Sequence, residues 1–130
     1  MTHKHLDGTG KGEMQYDFKH DILMFKVRDR DYQMSTEFQN FVADIDEEGF
    51  VTGIRVFDAS TVFNIEKEIL KNIRQWEFKA IIEDNTLTVT FRFAGKRENT
   101  EIPIENFTQQ MTTSLNGYHL ADSSVECAIA

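Results

Sequence analysis

The chain has 130 residues, 40% hydrophobic and 28% charged, which fits one globular domain able to bury a core without disulfide or metal support. Lys and Arg number 14 against 22 Asp and Glu, a formal charge of −8, which argues against general affinity for nucleic-acid phosphates or anionic lipid and suits a basic partner or simple solubility. The single cysteine, Cys127, allows no internal disulfide and no multi-thiol zinc site.

No apolar run follows Met1, so no signal peptide is visible. Residues 1–13 are polar and glycine-rich without periodicity and read as a disordered arm. Tyr16 to Phe18 and Ile22 to Val27, joined by Lys19-His20-Asp21, read as a hairpin. The longest uninterrupted apolar stretch, Ile22 to Phe25, is too short to cross a bilayer, so a cytoplasmic protein is expected. A third strand is predicted from about Glu37 to Ile45. It is followed by the acidic turn Asp46-Glu47-Glu48-Gly49 and a fourth strand from Val51 to Phe57.

Beyond Asp58-Ala59-Ser60 the period changes. Val62, Ile65, Ile69, Ile73 and Trp76 recur at three- and four-residue steps and predict a helix, capped by Ser60 or Asn64. The period then returns to two: Trp76, Phe78, Ala80 and Ile82, a turn at Asp84-Asn85, then Leu87, Val89, Phe91 and Phe93. This is the strongest hairpin signal in the chain. Thr100 to Ile104 reads as an edge strand because of Pro103. Phe107, Met111 and Leu115 suggest a short helix stopped by Asn116-Gly117, and residues 118–130 a loose tail. The sum is an α+β domain over residues 14–117. Its antiparallel sheet has about seven strands, ββββα then βββ, with one main helix packed on one face.

Several patterns bear on chemistry. Asp44-x-Asp46-x-Glu48-Gly49 opens like a calcium loop, but its twelfth position is Arg55 where an acidic ligand belongs, and its flanks are strands. Asp44, Asp46 and Glu48 are the candidate metal ligands; a carboxylate-rich hairpin turn explains the same letters. The four histidines are scattered, and no nucleophile elbow or phosphate-binding glycine motif follows a strand. Cys127, placed in the tail, has nothing nearby in sequence to lower its pKa. Asp58 stands at the strand-to-helix junction, where a side chain can face a pocket or satisfy helix N–H groups. With Arg55 and Trp76 it forms the candidate ligand-binding set. No catalytic residue and no cofactor is expected.

Residues 14–60 resemble a family of small prokaryotic proteins known as domain of unknown function 2283. The resemblance lies in Tyr16-Asp17, in Asp21-Ile22-Leu23, and above all in the run from Asp44 to Ile54, DIDEEGFVTGI, closed by Asp58-Ala59-Ser60. It implies a compact antiparallel sheet with one helix and no established catalytic residues. Some members are encoded beside small RelE-like RNase toxins, which implies an antitoxin-like role. The chain from Trp76 onward has no counterpart in that family.

Three functions stay open. The first is a non-enzymatic module that binds a protein partner, small and basic, as an antitoxin binds its toxin. The second is a small-molecule-binding or enzymatic domain with a pocket near Asp58. The third is a self-assembling structural protein whose Trp76–Phe93 hairpin pairs across a homodimer.

Overall fold

The computed structural model describes residues 4–84, 86–112 and 122–128. Ten strands and two short helices follow in the order β1 (Lys4–Gly8), β2 (Gly12–Asp17), β3 (Ile22–Val27), β4 (Met34–Phe38), β5 (Phe41–Ile45), β6 (Val51–Phe57), α1 (Ala59–Phe63), α2 (Lys67–Lys71), β7 (Ile73–Glu83), β8 (Thr86–Arg97), β9 (Thr100–Thr112) and β10 (Ser123–Ala128). They form two five-stranded sheets. Sheet I has the order β2-β3-β6-β5-β4 and sheet II the order β1-β10-β7-β8-β9. All pairings are antiparallel except β1 with β10. The fold is therefore mostly antiparallel sheet with two small helices, and not a single sheet of about seven strands under one main helix.

The two sheets face each other across one core. Leu23, Phe25 and Val27 of β3, Phe41, Ala43 and Ile45 of β5, and Ile54 and Val56 of β6 point inward from sheet I. Trp76, Phe78, Ala80 and Ile82 of β7, Leu87, Val89, Phe91 and Phe93 of β8, and Val125 and Cys127 of β10 point inward from sheet II. Alternation of side chains along each strand sorts these sets from their polar neighbours. Phe25 is the centre of an aromatic cluster, with ring centroids 4.9 Å from Trp76, 5.6 Å from Phe91 and 6.2 Å from Phe93. Phe63 closes one end, edge-on to Phe93 at 5.0 Å.

The β7–β8 hairpin forms in the expected register, with Ile82 opposite Leu87, Ala80 opposite Val89, Phe78 opposite Phe91 and Trp76 opposite Phe93. It lies inside sheet II between β10 and β9, so neither strand offers a free edge for the homodimer pairing expected of it. The strand placed at Thr100 to Ile104 runs on to Thr112 as the outermost strand of sheet II. Phe107 and Met111 thus lie on a strand and not on a helix; Leu115 and Asn116-Gly117 fall outside the described residues.

Three further expectations are corrected. The single strand from Glu37 to Ile45 is a tight hairpin, β4 and β5, turned by Gln39 at φ 51°. The long helix is two five-residue helices, because Asn64 takes the left-handed conformation at φ 55° and ends the first; Ile73 and Trp76 already belong to β7. Segments near both ends of the chain are built into the sandwich. Residues 4–8 of the expected arm form β1, residues 12–13 begin β2, and residues 123–128 of the expected tail form β10, wedged between β1 and β7.

Candidate functional site

The outward side of sheet I is organised in rows across its strands. Register places Gln15, Met24, Arg55, Val42 and Glu37 in one row. Asp17, Ile22 and Phe57 form the next, and Glu13, Lys26, Gly53, Asp44 and Ser35 the one beyond. Ile22, Met24, Val42 and Phe57 are all apolar and lie outside the core cluster between the sheets; Val42 is buried, and the other three are half-buried. Strand β3 reads Ile22-Leu23-Met24-Phe25-Lys26-Val27, so both of its faces are apolar and only one is covered by sheet II. A shallow concavity lies over this area, lined by Gln15, Tyr16, Asp17, Ile22, Met24 and Arg55.

Arg55 is fixed in the middle of the face. Its Nη2 donates to Asp44 Oδ1 at 2.6 Å and to Ser35 Oγ at 3.2 Å, and its Nε donates to Asp44 Oδ2 at 3.2 Å. Ser35 Oγ also donates to Asp44 Oδ1 at 2.6 Å. Such a two-pronged pair is geometrically rigid. Above the Arg55 guanidinium lies the Tyr32 ring, 5.8 Å away and 57% exposed, an aromatic held in open solvent.

The expected metal ligands do not converge. Asp44 is taken by Arg55 and Ser35. Asp46 Oδ1 accepts the main-chain N–H groups of Glu48 at 2.9 Å and Phe50 at 3.0 Å, while Asp46 Oδ2 accepts Arg30 Nη1 at 2.6 Å. Glu48 is a more distant partner of the same arginine, at 3.5 Å. The acidic letters therefore encode a turn held by its own aspartate, with Gly49 at φ 89°. Among the described residues no group of three His, Cys, Asp or Glu side chains could hold a metal.

The expected ligand set is also dispersed. Trp76 is 5% exposed and packs in the core, whereas Arg55 is on the outward face of β6. Asp58 is exposed at φ 54° and its side chain makes no cap hydrogen bond; its carbonyl accepts the N–H groups of Thr61 and Val62. The cap comes from elsewhere. Asp21 Oδ1 and Oδ2 accept the Ser60 N–H at 3.1 and 3.2 Å, Oδ2 accepts the Ser60 hydroxyl at 2.6 Å, and Oδ1 accepts the Tyr16 hydroxyl at 2.6 Å. The Asp21 carbonyl accepts the Ala59 N–H. This latch ties the β2–β3 turn to the start of α1, and Asp21 stands outside the sequence-derived site because its partner is 39 residues away.

Burial disfavours the Asp21 charge, but the hydrogen bonds from Ser60 and Tyr16 outweigh it and hold the carboxyl below the ordinary value of 3.8. Burial, the bond to Asp21 and that negative charge raise the Tyr16 hydroxyl. A depressed native pKa means the latch stabilises the fold fully above the unfolded value and fades as pH falls through the native one. Asp21→Asn is therefore expected to cost stability at pH 6, and the gap in urea midpoint from the parent should shrink below about pH 3.8. A gap that stays constant down to pH 2 would show that the Asp21 charge is not what the latch uses.

Cys127 is 1% exposed on the inner face of β10, not in a mobile tail, and burial pushes its thiol up to about 12. It should resist alkylation in the native chain and react at the rate of global unfolding; rapid labelling without denaturant would contradict its place in the core.

Residues 13–60 match the family model described as Protein of unknown function (DUF2283). That segment is sheet I from β2 to β6 together with the turn into α1. Over 84 residues the chain is 29% identical to a provisionally named hypoxanthine phosphoribosyltransferase of Methanosarcina mazei, covering 65% of this chain and 68% of that protein. It is 27% identical over 104 residues to an uncharacterised protein of Methanocaldococcus jannaschii, covering 79% and 90% of the two chains. A 56-residue stretch is 38% identical to Protein TonB of Yersinia enterocolitica, covering 42% of this chain and 22% of that one. No solved structure matches the chain significantly. Among the described residues no helix is long and apolar enough to cross a membrane.

Proposed function

We propose that this chain is a non-enzymatic interaction module whose outward sheet I face receives a small basic protein. The observation that carries the reading is the half-buried apolar group Ile22, Met24 and Phe57, which lies with the buried Val42 on the side of sheet I away from sheet II. Asp17 and Glu37 end the rows of that group, and Glu13, beside Lys26 and Arg28, ends the neighbouring one. Apolar side chains at the centre with charge at the border are the usual anatomy of a docking face. The formal charge of −8 adds long-range attraction for a cationic partner. The family resemblance suggests a partner of the basic RNase toxin kind and hence an antitoxin-like role.

The test is native capture on the full chain at about 50 mM and about 500 mM salt, where charge attraction is strong and then screened. A small basic protein retained at low salt and released at high salt supports the reading. Retention that ignores salt contradicts the electrostatic part. Thermal stabilisation by hypoxanthine or a phosphoribosyl donor, with no protein captured, would replace the reading with a small-molecule one.

A further inference from the structure

Among the described residues the sandwich has four open strand edges, and they are not equally guarded. β1 carries Lys4 and Asp7, β9 carries Pro103 and Glu101, and β2 closes against the corner made by Trp76 and Ala128. β4, Met34-Ser35-Thr36-Glu37-Phe38, has neither proline nor lysine, the residues that blunt an edge against pairing.

The direction of the β4 main-chain groups follows from alternation. The Phe57 N–H donates to the Asn40 carbonyl, so the even-numbered positions 40, 42 and 44 bond toward β6. The odd-numbered residues of β5 must then bond toward β4, where they face Phe38, Thr36 and Met34; the bond from the Gln33 N–H to the Ile45 carbonyl lies on that same side. The N–H and C=O groups of Ser35 and Glu37 are left pointing out at the free edge. Between them sits Thr36, 3% exposed, whose Oγ1 has no hydrogen-bond partner among the described residues.

We propose that β4 pairs antiparallel with β4 of a second copy of this chain, about a two-fold axis at Thr36. In that register Ser35 faces Glu37 of the second copy and Glu37 faces its Ser35, so outward N–H and C=O groups meet their complements. The two glutamates do not oppose each other. Thr36 faces Thr36 of the second copy in the closely spaced, non-hydrogen-bonded position, where one hydroxyl donates to the other and both buried oxygens gain a partner. Sheet I then continues through the axis as one ten-stranded surface, with its outward face presented twice. A five-residue edge buries little area, so the association is transient.

Sedimentation equilibrium of the full chain from about 5 to about 500 µM tests this, a range set by the weak affinity expected of a small interface. The mass should rise from 15.1 kDa toward twice that value. Amide exchange at Ser35 and Glu37 should slow with concentration, while Lys4 and His5 on the β1 edge stay unchanged. Glu37→Pro deletes an outward N–H without touching the β4–β5 ladder and should weaken the dimer at least about tenfold. Thr36→Val should weaken it about fivefold, the worth of one ordinary hydrogen bond. A constant mass of 15.1 kDa overturns the proposal, as does a dimer that leaves Ser35 and Glu37 unprotected or ignores Glu37→Pro. Should Glu37→Pro fail to fold, the exchange pattern of the parent chain still decides. Loss of the basic partner described above would leave this result untouched.

Discussion

Phe25→Ala is expected to destabilise the chain by about 3–5 kcal/mol, the usual cost of emptying a buried phenylalanine site. Phe25 is fully buried, and three aromatic rings from sheet II lie within 6.2 Å of its centroid. Those rings sit on strands that cannot close independently, so the cavity would persist rather than collapse. The loss should lower Tm by roughly 10–20 °C for a domain of this size. Phe57→Ala, on the outward side of the same sheet, should cost about 1 kcal/mol or less, as surface truncations do. Thermal unfolding of the two variants beside the parent separates the faces. Equal losses would contradict the assignment of one to the core and the other to solvent.

The second large effect is expected at Gly12. A Cβ built there would meet the Trp76 ring and lie 2.6 Å from the Ala128 carbonyl oxygen. Neither obstacle yields readily, since Trp76 is packed against Phe25 and Ala128 ends a strand paired with β7. Gly12→Val is therefore expected to cost about 3 kcal/mol, the upper part of the range for overpacking. Gly53→Ala is the control: its Cβ would have contacts no shorter than 3.4 Å, so its unfolding midpoint should barely move. A neutral Gly12→Val would mean that the two chain ends do not meet at this corner.

Gly12 also shows why part of the fold was hidden in the sequence. Gly8-Thr9-Gly10-Lys11-Gly12 has the composition of a linker, yet Gly8 and Gly12 lack side chains because β1 and β2 pass close to β10 and Trp76. That constraint is tertiary, and no local pattern announces it. β10 was hidden for a related reason. Its inward residues Ser123, Val125 and Cys127 contrast too little with Ser124, Glu126 and Ala128 to give a period of two. By contrast β3, β6, β7 and β8 were legible, because large apolar side chains alternate there with charged or hydroxyl residues, or stand in an unbroken apolar run.

The helix stripe misled for a physical reason. Val62, Ile65, Ile69 and Ile73 do turn apolar surface toward the sandwich, but they belong to two helical turns, a connection and a strand, broken at Asn64 and Asn72. Spacing alone does not report a left-handed residue between them. At the site, the outward face was half legible. The run Ile22 to Phe25 shows an apolar stretch without alternation, the mark of a strand with two apolar faces. Asp44 and Arg55 were both noticed, though as members of separate sets, and register alone brings them into one ion pair across β5 and β6.

The outward face of sheet I is the centre of the functional account, and one paired capture tests it most directly. Met24→Glu places a charge in the middle of the apolar group, while Thr88→Glu places the same charge on the outward side of sheet II. Both positions are partly exposed, so the fold should tolerate each. Thr88→Glu should still capture the small basic protein at low salt, and Met24→Glu should lose it by at least about tenfold, as for a contact at the centre of an interface. Undiminished capture by Met24→Glu, or loss by Thr88→Glu instead, would contradict docking at this face.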